Sequence, residues 1–238
     1  MARCAHVVCV SEFTRRTLLD IAACSEDRTS VIPQAVEAHF QPLDPGDDAL
    51  GAFRRRHGLE GKRVVLHVGT CLPYKNIGGL LEIFRSLPED VVLLKVGGTF
   101  APEEQQLIAR HGLEPRLAHR TQLSEPDLVL AYNAADLLLW PSRFEGFGLP
   151  VLEAMACGTP VVCSDGGALP EVAGEAARVH PVDDLAGMAA SCVAILANPE
   201  EAAALRAAGL ARAKAYTWEA AARAYCNVYH AVAAGRAP

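Results

Sequence analysis

Short apolar runs alternate with longer stretches of mixed polarity through most of the chain. Residues 64–68, 91–96 and 161–163 are nearly unbroken runs of valine, leucine and small apolar residues, and residues 134–140 end in Leu-Leu-Leu-Trp. Unbroken runs, as opposed to two-residue alternation, mark strands buried on both faces. Between them, residues 77–87, 102–111 and 128–134 place apolar side chains at helical spacing. Three more helices are expected at 183–196, 200–215 and 218–233, where alanine is abundant. This alternation predicts an α/β fold built on a doubly wound, Rossmann-like parallel sheet. Ligands on such sheets sit beyond the carboxyl ends of the strands, so the loops after Val68, Val96 and Trp140 should converge on one crevice.

The opening of the chain reads separately. A strand is expected at 7–10, then a helix capped by Ser11 and running to about residue 22, then a strand at 29–32. Residues 34–50, rich in proline, glycine and aspartate, read as a linker. A short basic helix at 53–57 ends at Gly58, and its arginine run reads as a solvated face. Tyr216, Trp218, Tyr225 and Tyr229 fall at helical spacing and read as packing residues more than as a stacking platform.

The chemistry concentrates after Trp140. A loop carrying Gly146 and Gly148 leads to Pro150, which suits a helix start, and Gly158 with Pro160 stops that helix before the next apolar run. A strand, a glycine loop and a helix start present free N–H groups and a partial positive charge to an anion. Glu145 and Glu153 bracket this turn, a combination that suits a sugar diphosphate: amides for phosphates, carboxylates for hydroxyls. The plainer reading is an ordinary turn in which Glu153 complements the helix dipole. Lys75 stands near the start of the helix after the 64–68 strand, the wrong sign for that dipole unless an anion lies between, or else it points into water. Gly97-Gly98 either admits a ribose or base close to the backbone or simply turns the chain.

Composition narrows the classes. With 238 residues and 51% hydrophobic content the chain can bury a full core, as one domain with an appendage. A net charge of -6 argues against a nucleic-acid partner. The eight cysteines form no C-x-x-C pair, which points to a reduced, cytoplasmic protein, and neither they nor the histidines show metal-ligand spacing. No metal is expected. No apolar run approaches a membrane span, and residues 1–10 hold too short an apolar stretch for a signal peptide, so any membrane association is at most peripheral.

Glu145-Gly-Phe-Gly-Leu-Pro-Val-Leu-Glu153 resembles the E-x7-E signature of retaining GT-B glycosyltransferases of the group 1, or family 4, type, and Pro141-Ser142 and residues 156–162 fit the same family. The resemblance implies the C-terminal half of a GT-B fold. Residues 1–40 would be a remnant of the acceptor domain and the crossover, 41–215 the nucleotide-sugar donor domain, and 216–238 a bracing helix. Residues 69–76 resemble the family's G-R-x-x-x-x-K-N/G loop, with Gly69 and Lys75 in place and Thr70 where the arginine falls. The implied catalytic residues are Glu145 and Lys75. Donor binding would involve Gly69, Thr70, Lys75, Arg120 (where a base-contacting loop comes), Gly146, Phe147, Gly148, Leu149 and Glu153. The substrate would be a nucleotide diphosphate sugar, with no further cofactor. Because most of the acceptor half is missing by this resemblance, a partner chain supplying it is one expectation. The alternative is a split or truncated chain that binds sugar nucleotide but is inactive alone. An epimerase or phosphorylase on the same fold fits the motifs less well.

Overall fold

In the computed structural model residues 4–22 and 24–235 are described; residues 1–3 of the opening segment and 236–238 of the closing one lie outside them. The chain opens with β1 (Val7–Cys9), α1 (Glu12–Ile21) and β2 (Thr29–Val31), the two strands pairing in parallel. There follow α2 (Asp48–Arg56), β3 (Arg63–Val68), α3 (Ile77–Arg85), β4 (Val91–Val96), α4 (Pro102–Arg110), β5 (Leu117–Arg120) and α5 (Glu125–Ala134). The second half holds β6 (Leu137–Trp140), α6 (Leu149–Ala156), β7 (Val161–Ser164), α7 (Leu169–Ala173) and β8 (Arg178–His180). It closes with α8 (Leu185–Ala197), α9 (Pro199–Ala213) and α10 (Trp218–Ala233).

The main sheet has six strands in the order β5-β4-β3-β6-β7-β8, every pair parallel. This is the Rossmann-like order. The chain winds outward from β3 in one direction, then returns to β6 on its other side, and the crevice opens between those two strands. Consecutive strand residues point to opposite faces and so divide between two core layers. Leu66, Leu94, Leu138 and Trp140 pack with Tyr132 of α5 and Leu152 and Met155 of α6. Val65, Leu93, Leu137, Leu139 and Val162 pack with Leu80, Leu81 and Phe84 of α3 and Met188 and Cys192 of α8. A third, small cluster joins Ile32, Ala221 and Val228 with Val8, so α10 covers the two-stranded sheet.

Two strands were absent from the sequence expectation. β5 (Leu-Ala-His-Arg) and β8 (Arg-Val-His) are the outer strands of the sheet, each with one neighbour, so polar residues are tolerated and no unbroken apolar run announces them. The helix expected at 128–134 starts at Glu125, where Ser124 accepts from the Asp127 amide and Pro126 occupies the first turn. The linker is fastened: Phe40 is buried edge-on to Tyr132, and Asn133 bonds both Leu43 N and Gln41 O. The arginine run is only partly a solvated face. Arg55 and Arg56 are exposed, but Arg54 donates to the carbonyls of Ala134, Leu59 and Lys62, pinning α2 to α5. Of the aromatic set, Tyr216 packs against Phe147, whereas Tyr229 and Trp218 are 67% and 49% exposed. Among the described residues no helix is long and apolar enough to cross a membrane.

Candidate active site

The loop leaving β3 closes in a tight turn at Pro73–Lys75, and Asn76 then takes left-handed backbone, φ 55, before α3 begins. Asn76 Nδ2 donates to the Pro141 carbonyl at 3.0 Å, and Arg143 N donates to the Tyr74 carbonyl at 2.7 Å. These bonds sew the β3 loop to the β6 loop at the switch point of the sheet. Across that seam Lys75 Nζ lies 2.8 Å from Glu145 Oε1, with side-chain exposures of only 11% and 10%. The two residues proposed as catalytic from the sequence thus meet in an ion pair. The same Glu145 oxygen accepts a bond from Trp140 Nε1 at 3.1 Å. Lys75 Nζ also stands 4.7 Å from the centre of the Trp140 ring and 5.0 Å from that of Tyr74, within cation–π range.

His67 lies beneath, stacked on Trp140 with ring centres 4.7 Å apart. Its Nδ1 faces the Leu139 carbonyl at 3.1 Å, which can only accept, so the proton sits on Nδ1. Nε2 is buried and unpaired among the described residues. Burial, then the nearby Lys95 ammonium, pushes its pKa down to about 3, and the imidazole is neutral.

The β6 loop turns into α6 at Gly148, whose φ of 105 favours glycine and where a Cβ would come within 2.7 Å of Leu169 Cδ2. Among the described residues no protein acceptor takes the amides of Gly146, Phe147 or Gly148. The Gly146 carbonyl is occupied: the Ser11 and Thr14 hydroxyls donate to it at 2.7 and 3.1 Å. The first turn of α1 therefore rests on the site loop. Glu171 of α7 holds it there, accepting from the amides of Glu12 and Phe13 at 2.9 and 3.2 Å.

The remaining sequence candidates divide. Gly69 and Thr70 lie in the β3 loop, with Thr70 exposed. Leu149 begins α6 and is half-buried. Phe147 turns its ring into the core against Tyr216, so only its backbone faces the loop. Glu153, one turn into α6, is not joined to the Lys75–Glu145 pair; its Oε2 accepts from the Tyr132 hydroxyl at 2.5 Å. Burial raises the pKa of this carboxyl against the opposing effects of Tyr132 and His39. Arg120 and His119 lie in β5 and not in a loop. Arg120 Nε donates to His57 Nδ1 at 2.7 Å, and His119 Nε2 faces the Gly98 carbonyl at 2.7 Å, so both side chains are engaged with protein.

Sequence reasoning passed over Trp140, Tyr132, His67, Lys95 and Glu171. For two of them a signal was present: His67 and Lys95 are lone polar residues inside otherwise apolar strands, and a buried polar group needs a reason.

A doubly wound domain with an ion pair and unpaired loop amides at its switch point belongs to the class of α/β proteins that bind ligands beyond the strand ends. The family model for group 1 glycosyl transferases matches residues 51–212. The chain belongs to that family. It is 32% identical over 229 residues to O-antigen chain mannosyltransferase B of Escherichia coli, covering 94% of this chain and 60% of the relative. It is 30% identical to the MMP alpha-(1->4)-mannosyltransferase of Mycolicibacterium hassiacum, covering 94% of this chain and 53% of the relative. Sucrose-phosphate synthase from Thermosynechococcus elongatus superposes with a TM-score of 0.84 at 28% identity, over 96% of this chain and 58% of that one. The Anabaena protein HepE, solved with UDP and glucose, superposes with a TM-score of 0.87 at 21% identity, over 95% of this chain and 63% of that one. The chain thus spans a little over half the length of these relatives.

Proposed function

We propose that this chain supplies the donor site of a retaining glycosyltransferase that uses a nucleotide diphosphate sugar. The observation that carries the reading is the convergence of Lys75 and Glu145, 70 positions apart, on one seam at the sheet's switch point beside unpaired loop amides. On this reading the bond from the sugar's anomeric carbon to the phosphate oxygen breaks, and the nucleoside diphosphate leaves with the electron pair. Lys75 and the amides of Gly146–Leu149 stabilise that developing charge. The acceptor hydroxyl bonds the same face of the anomeric carbon and passes its proton to the departing phosphate. Glu145, steadied by Trp140, bonds hydroxyls of the transferred sugar, and Glu153 bonds the ribose. Two carboxylates placed as acid and nucleophile across a scissile bond would instead suit hydrolysis, but here one of them lies in the helix after the phosphate-facing loop. A partner chain that completes the acceptor side belongs to the same proposal.

The test is calorimetric titration of the chain with UDP, GDP and ADP, repeated for Lys75→Ala and Glu153→Ala. One nucleotide is expected to bind in the micromolar to millimolar range, with both substitutions weakening it by roughly tenfold, about 1.4 kcal/mol. No binding of any of the three refutes the donor-site reading. Release of nucleoside diphosphate from the matching nucleotide sugar then separates an active chain from one that only holds the donor.

A further inference from the structure

Lys95 lies in β4 with no exposed surface, among the largest fully buried side chains. An ammonium in such a place is costly unless its protons are well used. Its Nζ donates to the carbonyls of Gly69 at 2.7 Å, Val96 at 3.1 Å and Gly97. Among the described residues no carboxylate comes within ion-pair distance of it. A buried cation is therefore held mainly by backbone carbonyls, with the Cys71 thiol and the Glu104 carboxylate as its nearby polar side chains, directly under the loops that end β3 and β4.

Those carbonyls fix what the loops present. In a planar trans peptide the C=O and the N–H of one unit point in opposite directions. With the Gly69 and Gly97 oxygens drawn inward to Lys95, the amides of Thr70 and Gly98 point away from it, at the ends of strands β3 and β4. Among the described residues neither amide has a protein acceptor. The two loops are also packed backbone to backbone. A Cβ on Gly97 would lie 2.8 Å from the Gly69 oxygen, and one on Gly98 would lie 2.7 Å from Cys71 N, so glycines are required for this approach. Thr70 leaves the site one cation short of the pattern its loop resembles, with Lys75 as the remaining cation of that loop.

We propose that Lys95 is a positioning residue that locks the Gly69 and Gly97 carbonyls inward so that the Thr70 and Gly98 amides bind the donor's diphosphate. This rests on the donor-site reading above and names the atoms that take the phosphates. The buried positive charge adds a field of the right sign behind those amides, without touching the ligand. No covalent step involves Lys95.

The experiment uses the nucleoside diphosphate that binds best among UDP, GDP and ADP, its parent nucleoside, and inorganic pyrophosphate. Lys95→Met is expected to lower the affinity for the nucleoside diphosphate and for pyrophosphate by roughly tenfold or more, while the nucleoside changes by less than about twofold. In amide proton–nitrogen spectra of the unsubstituted chain, pyrophosphate is expected to shift the Thr70 and Gly98 resonances. This second measurement decides the matter if Lys95→Met does not fold. Equal loss for nucleoside and diphosphate, or Thr70 and Gly98 amides that stay in place during titration, overturns the role given to Lys95. Failure of the unsubstituted chain to bind any of the three nucleotides refutes the donor-site reading itself, and the inference with it.

Discussion

Acidification should destabilise this protein most through His67, the fully buried histidine. It stacks on Trp140 in full burial, its pKa is pushed down to about 3 by burial and then by Lys95, with Lys75 a lesser cause, and the bond to Leu139 opposes the shift only in part. In the unfolded chain the same imidazole titrates near 6.5. Between those two values the unfolded state binds a proton that the native state does not, so stability rises with pH across the window. The stabilisation is complete above about pH 6.5 and is lost as pH falls toward 3. Each pH unit inside the window is worth about 1.4 kcal/mol, giving a loss of about 2 kcal/mol at pH 5 and about 3 kcal/mol at pH 4. Those losses are a large share of the ~5–15 kcal/mol that holds a typical domain together. His67→Phe keeps a ring against Trp140 and cannot titrate, although the Leu139 carbonyl loses its donor, at a cost of about 1–3 kcal/mol near neutrality. Urea unfolding of both proteins from pH 7.5 to pH 4.5 isolates the effect, since the other titrating groups are common to both. The advantage of the unsubstituted chain over the variant should shrink by about 2 kcal/mol between pH 7.5 and pH 5. Parallel stability curves would refute the buried, neutral imidazole.

Gly148→Ala forces a side chain into a left-handed turn with φ 105, 2.7 Å from Leu169 Cδ2, and should cost about 1–3 kcal/mol in urea unfolding and weaken nucleotide binding in the same titrations; an unchanged midpoint and affinity would count against the strict geometry of this loop. Glu171→Ala removes the acceptor of the Glu12 and Phe13 amides. It should destabilise α1 by about 1 kcal/mol and speed proteolytic nicking within residues 11–22; nicking at the original rate would mean that α1 is held by other contacts.

The central strands and the site loop were legible because burial on both faces leaves an apolar run and because left-handed and capping positions demand particular residues. Val64 to Val68, Val91 to Val96 and the Gly148–Pro150 helix start are of this kind. β5 and β8 were illegible because an outer strand can keep histidine and arginine at its exposed side. Glu145 and Lys75 could be chosen from the sequence, but not their contact, since the 70-residue separation is closed by tertiary pairing of β3 with β6. Arg120 misled for the opposite reason. Its place in the chain suggested a loop, whereas the ladder to β4 makes it the end of a strand with His57 as its partner. Glu171 carries no local signal, because a helix cap supplied from 159 positions away leaves no spacing to read.

The Lys75–Glu145 pair also explains why Trp140 matters to the proposed chemistry. Lys75 is paired with Glu145, and a nine-tenths buried pair of this kind would be costly to leave with one charge alone. A diphosphate carries more negative charge than a carboxylate, so it can draw Lys75 toward itself. On the proposed reading Glu145 would then lose one donor but keep Trp140 Nε1, which would hold the carboxylate in place while its remaining lone pairs turn to sugar hydroxyls. One residue beyond Glu145, the Gly146 carbonyl is bonded by Ser11 and Thr14 of the α1 turn. The loop proposed to orient the sugar is thus the same loop that the first turn of α1 touches. Glu145 and that carbonyl are separated by a single peptide, so on the proposed reading a displacement of α1 should alter donor binding as well.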